Sequence, residues 1–148
     1  MKSKINLWVI LRIVIGIIFL VSGLEKVLNP YQNFLYVIQS YDFLPSWGDH
    51  LTARVIPWLE LFVGIFLIIG LWTVVSLVAA AFLFSSFMVT VGQALIRHLP
   101  LQDCGCFGSL ISLPPLFVFV MDSVFLVLTI SLLKRKEAVL KLSVDNLF

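Results

Sequence analysis

A chain of 148 residues that is 61% hydrophobic and 12% charged, with a mean hydropathy of +1.10, is far more apolar than an ordinary soluble domain. A water-soluble fold of this size needs a polar shell, whereas here the charges collect at the two ends and in two short segments between long apolar runs, so the expected solvent is lipid. The net charge of +2 is scattered rather than gathered on one basic face, which excludes phosphate-driven nucleic-acid binding.

A membrane span needs roughly 20 apolar residues at about 1.5 Å rise each, and four stretches meet that requirement. Lys2 and Lys4 precede the first, Leu7 to Leu28. It is longer than a signal-peptide core and no small-x-small cleavage site follows, so it reads as a retained helix. Its Gly16, Ser22 and Gly23 suit close helix packing, and Arg12, toward the cytoplasmic end, can snorkel and needs no special role. The segment from Asn29 to Arg54 is polar and aromatic and is broken by Pro30, Pro45 and Gly48. Its Tyr31, Tyr36, Tyr41 and Trp47 suit an interfacial belt.

The second span, Val55 to Leu71, meets the third, Val74 to Ile96, near Gly70, Leu71 and Trp72 with almost no connector, which predicts an antiparallel helical hairpin. Residues Arg97 to Leu113 lead to the fourth span, Pro114 to Leu133, and residues 137–148 read as a short cytoplasmic tail. The fold class is therefore all-α, an integral membrane four-helix bundle forming a single domain over residues 1–148. An even number of crossings puts both termini on one side. Lys2, Lys4, Lys134, Arg135, Lys136 and Lys141 lie there, against Arg54 and Arg97 opposite, so both termini should be cytoplasmic.

The loop Leu101-Gln102-Asp103-Cys104-Gly105-Cys106-Phe107-Gly108 then faces away from the cytoplasm and holds both cysteines of the chain. Outside the cytoplasm a close dithiol can persist as a disulfide. Cysteines one residue apart reach disulfide range only through a sharp turn, which Gly105 permits, and so small a ring should be strained and prone to exchange. Two other readings stand beside this one. The cysteines can be small buried hydrophobes, or two thiolates can bind a metal with His98 or His50; the C-x-C spacing alone supplies too few ligands, and no metal site is predicted.

The ionisable residues Glu25, Lys26, Glu60 and Asp122 all fall in the outer half of the spans, where each needs a partner or water. Gln93, Arg97 and the cysteine loop share that half, so one polar pocket can satisfy the set; helix-pairing salt bridges without chemistry are the alternative. Arg97 or Lys26 can stabilise a thiolate electrostatically, and Asp103 adjoins the pair. The 13 phenylalanines are dispersed and read as packing and lipid-facing surface rather than a cofactor site.

These residues resemble the DoxX-like proteins, and within them the methylamine-utilisation MauE branch of four-helix membrane proteins. The resemblance runs through Leu11-Arg12-Ile13-Val14-Ile15-Gly16, Phe19, Ser22-Gly23-Leu24-Glu25-Lys26 and Asn29-Pro30, then Pro57-Trp58-Leu59-Glu60 with Gly64 and Gly70. Asp103-Cys104-Gly105-Cys106-Phe107-Gly108 is its most specific element and is similar to the MauE branch. Asp122 falls where that branch tends to carry an aspartate, often after an arginine; here Met121 precedes it. The resemblance implies a part in maturing or oxidising extracytoplasmic proteins, a thioredoxin-like partner, and a bacterial inner membrane.

Three readings follow. In the first, Cys104 and Cys106 form a thiol-disulfide relay, and because there is no second pair an electron route through the membrane needs a quinone-like carrier near Glu60 and Asp122 or a partner bringing its own cysteines. In the second, the chain is a non-catalytic membrane subunit or assembly factor with a structural cysteine loop. The third, a small-molecule pathway lined by Glu25, Glu60 and Asp122, requires polar residues through the inner half, which apart from Arg12 reads as dry.

Overall fold

The computed structural model describes residues 7–99, 113–135, 137 and 139. Among them run the helices α1 (Leu7–Leu28), α2 (Tyr31–Ser40), α3 (Ser46–Ile69), α4 (Thr73–Ile96) and α5 (Pro115–Lys134). All except α2 are long and apolar enough to cross a membrane, and no strand occurs among the described residues. The chain is an all-α, multi-pass membrane protein.

Sequence spacing explains how α1 sits. Arg12, Ile15, Phe19, Ser22 and Lys26 recur three or four residues apart and are buried, while Ile10, Ile17 and Leu24 on another face are 44–47% exposed. Polar groups point inward and aliphatic ones outward, the orientation lipid demands. Arg12 does not snorkel: it is 1% exposed and its Nη1 donates to the carbonyl of Val139 at 3.1 Å, tying the chain beyond α5 back onto α1.

Around the bundle α1 lies along α3, α3 adjoins α4, α4 lies along α5, and α5 closes on α1. The α1–α3 seam is built on glycine. A Cβ on Gly23 would fall 2.6 Å from the backbone nitrogen of Leu61, and one on Gly64 would fall 2.5 Å from that of Leu20, so the two backbones touch where side chains would hold them apart. Across the bundle Phe84 of α4 meets Phe19 at 4.8 Å between ring centroids and stacks on Phe125 of α5 at 5.8 Å.

The α3–α4 connection is as tight as its sequence implies. Gly70 at φ 79° ends α3, with its N–H and that of Leu71 both donated to the carbonyl of Phe66. Trp72 at φ 48° starts α4.

The segment between the first two spans carries a helix between its breaks: α2 forms from Tyr31 once Pro30 has set its entry, and all its side chains remain at least partly exposed, as on an interfacial helix. Helix α3 begins at Ser46 rather than Val55. Apolarity starts at Val55, but helical backbone starts behind Pro45, and 24 residues at about 1.5 Å each outreach a hydrocarbon core of about 30 Å, so the first turns can stand in the polar zone.

Candidate functional site

Ser22 and Lys26 lie four residues apart on the same face of α1, and the glycine seam brings α3 close enough for Glu60 to reach them. The Lys26 Nζ donates to both Glu60 carboxylate oxygens at 2.8 and 2.9 Å and to Ser22 Oγ at 2.7 Å, while Ser22 Oγ donates to Glu60 Oε2 at 3.2 Å. The side chains of Lys26 and Glu60 are 1% and 0% exposed. Phe34 of α2 and Phe87 of α4 face the same ammonium, with ring centroids 5.1 and 5.7 Å away. Asp122 of α5 is buried within electrostatic reach of Lys26 and Glu60. Side chains of α1, α2, α3 and α4 thus meet at one ammonium group, with the Asp122 carboxylate of α5 buried within its electrostatic reach.

The single polar pocket expected for Glu25, Lys26, Glu60, Asp122 and Arg97 is divided in the fold. Lys26, Glu60 and Asp122 come together. Glu25 turns to the end of α1, where Asn29 Nδ2 donates to its carboxylate at 2.6 Å and to its backbone carbonyl at 2.9 Å. Arg97 stands apart at the end of α4, donating to the carbonyl of Asp42 at 2.9 Å, to Gln93 Oε1 at 3.2 Å and to the Asp42 carboxylate at 3.3 Å. Gln93 Nε2 in turn donates to the carbonyl of Tyr41 at 3.0 Å. His50 pairs with Tyr31, their side chains 2.7 Å apart. Asp103, Cys104 and Cys106 lie outside the described residues, as does most of the 137–148 tail.

Ser22 was legible only as a small packing residue, and its bridging role follows from the i, i+4 spacing to Lys26. Asp42 gave no signal beyond its loop position. It holds φ 46°, a left-handed conformation that aspartate and asparagine tolerate and β-branched residues resist. Its ion pair with Arg97 is 82% exposed on the Asp42 side and 43% on the Arg97 side, so charge should matter little there. Asp42→Asn is expected to change unfolding stability in detergent by less than about 1 kcal/mol, whereas Asp42→Val should cost about 1–2 kcal/mol through its backbone. Equal losses in the two variants would assign the position to the salt bridge instead.

Beside the buried ammonium lies a pocket of about 80 Å³ between α2, α3 and α4. Phe34, Val37 and Tyr41 line it from α2 and its C-terminal end, Asp49, Thr52 and Ile56 from α3, and Phe87 and Val91 from α4, with Lys26 in its wall. Tyr41 and Val91 also belong to a buried apolar cluster with Ala94, against which Val37 and Leu99 pack. Leu99 is the last described residue before the cysteine loop.

A family model described as "Methylamine utilisation protein MauE" matches residues 4–135. The "Methylamine utilization protein MauE" of Paracoccus denitrificans is 29% identical over 120 residues, which are 81% of this chain and 63% of that protein. The chain thus spans less than two thirds of its relative's length. No solved structure matches.

Proposed function

Because the chain belongs to the MauE family, we propose that it is a membrane-embedded thiol-disulfide redox protein of methylamine utilisation, supporting oxidation or maturation of extracytoplasmic proteins through Cys104 and Cys106. The site end of the bundle then faces outward from a bacterial inner membrane, with both termini cytoplasmic. The observation that carries the reading is the family match over residues 4–135, which includes the Asp103-Cys104-Gly105-Cys106 motif holding both cysteines of the chain.

In the relay, a thiolate of a reduced thioredoxin-like partner attacks the Cys104–Cys106 disulfide. One S–S bond breaks as the mixed disulfide forms, and one cysteine leaves as thiolate. The partner's second thiolate then attacks the mixed disulfide, leaving the partner oxidised and Cys104 and Cys106 as a dithiol. A positive charge within reach favours the thiolate, and Arg97, seven residues before Cys104 in the sequence, or Lys26 is the residue to supply it, with Asp103 adjoining the pair in sequence.

The alternative, a non-catalytic subunit or assembly factor, draws on the fully hydrogen-bonded Lys26, Ser22 and Glu60 group, an arrangement that fixes helix register without chemistry. Single Cys104→Ser and Cys106→Ser variants separate the two. A relay loses turnover in both and accumulates a partner-linked adduct on a non-reducing gel in one of them. A staple yields no adduct from either and only a lower unfolding temperature.

A further inference from the structure

We infer that the cleft around Arg54 holds the headgroup of an anionic phospholipid, one acyl chain of which lies along an aromatic row on α3. The inference does not depend on the cysteine chemistry proposed above.

Two ion pairs form among the described residues, Lys26 with Glu60 and Arg97 with Asp42, and Arg54 takes part in neither. It is exposed, and its guanidinium lies over the Tyr31 ring at 5.7 Å, a contact that steadies the planar group while using none of its N–H donors. Arg54 directly precedes the apolar run that begins at Val55. It therefore stands where polar zone meets hydrocarbon, the level of the headgroups in a bilayer.

Around it opens a cleft of about 320 Å³ whose lining includes Lys26, Asn29, Tyr31, Arg54, Pro57 and Trp58, within the range of about 300–1,000 Å³ typical of small-ligand sites. Both charged residues in the described lining are cations, and none is acidic. Lys26 is neutralised by Glu60, to which it donates twice, so the charge left for an occupant is that of Arg54. A phosphodiester complements it, because two of its oxygens match the fork of a guanidinium.

The hydrocarbon side of the cleft separates a lipid from a free anion. Trp58, Phe62 and Phe66 follow Arg54 at intervals of four along one row of α3. Trp58 and Phe62 are 52% and 50% exposed, and successive ring centroids are 6.4 and 6.2 Å apart. From Arg54 to Phe66 the helix rises about 18 Å, close to the hydrocarbon depth of one leaflet, about 15 Å. A phospholipid thus meets a cation at its phosphate and ring surfaces along its chain, whereas inorganic phosphate uses only the first.

The test is native mass spectrometry of the full chain in nonionic detergent, titrated with phosphatidylglycerol or with phosphatidylcholine of the same acyl chains; unfolding temperatures report whether each variant is folded. One phosphatidylglycerol held about tenfold more tightly than phosphatidylcholine, roughly 1.4 kcal/mol, with the preference lost in Arg54→Gln and kept in Arg97→Gln, supports the inference. Arg54→Lys, which keeps the charge without the planar fork, should retain only part of the preference. Trp58→Ala should weaken both lipids alike.

Equal retention of the two lipids would make the contact an unselective one with the surrounding bilayer and overturns the inference, as does a phosphatidylglycerol preference that survives Arg54→Gln. Inorganic phosphate that displaces the lipid as effectively as added phosphatidylglycerol also overturns it, by making the cleft a free-anion site.

Discussion

Lys26→Met is expected to destabilise the bundle by about 3–5 kcal/mol, because it leaves Glu60 buried with its principal charge partner gone. Within a span no bulk water can replace the lost ammonium, and the remaining donor described at the carboxylate is Ser22 at 3.2 Å. Glu60→Met should cost a similar amount for the mirror reason, since the ammonium loses the carboxylate it donates to through two hydrogen bonds. The double variant should recover most of the loss. Two methionines fill the space without any charge to compensate, and buried pairs exchanged for apolar residues are often neutral or stabilising. A thermodynamic cycle on unfolding in detergent measures this, and losses that simply add would show that the two side chains are not energetically coupled.

Gly64→Ala should be the most damaging glycine-to-alanine change among the described residues. Its Cβ would stand 2.5 Å from the nitrogen of Leu20 and 2.8 Å from the carbonyl oxygen of Gly16, both backbone atoms that cannot swing aside. The helices must separate, at a cost of about 1–3 kcal/mol or more, and the separation also lengthens the bonds from Lys26 to Glu60. Gly92→Ala is the control. There the nearest atom is the Phe119 ring edge at 3.2 Å, a side chain able to yield, and the helix gains up to about 1 kcal/mol from replacing glycine. Unfolding temperatures of the two variants side by side test the contrast; a Gly64→Ala protein as stable as Gly92→Ala would mean that α1 and α3 are not held together through their backbones.

The spans were legible because lipid imposes one simple rule, a run of apolar residues long enough to cross, and α1, α4 and α5 obey it to within a residue or so at their ends. Where helix and apolarity part company the rule fails, as at Ser46, where α3 starts in polar sequence. Glu60 and Lys26 were legible as expensive charges needing partners. Their direct pairing was not, because it depends on the glycine seam setting the rotation and closeness of α1 against α3. Phe34 and Phe87 were hidden among 13 phenylalanines, and only the fold distinguishes two rings on an ammonium from those packed in the core or facing lipid. Arg97 was assigned to the same pocket as Lys26 from depth alone; the chain turn at Asp42, which captures it, left no pattern to read.

The tight turn at Gly70 and Trp72 bears on how the protein is made. A connector of Gly70, Leu71 and Trp72 offers the ribosome and insertion machinery no soluble loop at which to pause, so α3 and α4 should enter the bilayer as one hairpin. Helix α1 emerges earlier, carrying Arg12, Glu25 and Lys26, whereas Glu60 arrives only with that hairpin and Asp122 and Val139 later still. A charge on an unaccompanied helix costs up to about 2.5–3.5 kcal/mol at the bilayer centre and less toward the helix ends, where Glu25 and Lys26 lie. The order of synthesis therefore favours a nascent α1 that waits beside the insertion machinery and settles into lipid together with the helices that neutralise it.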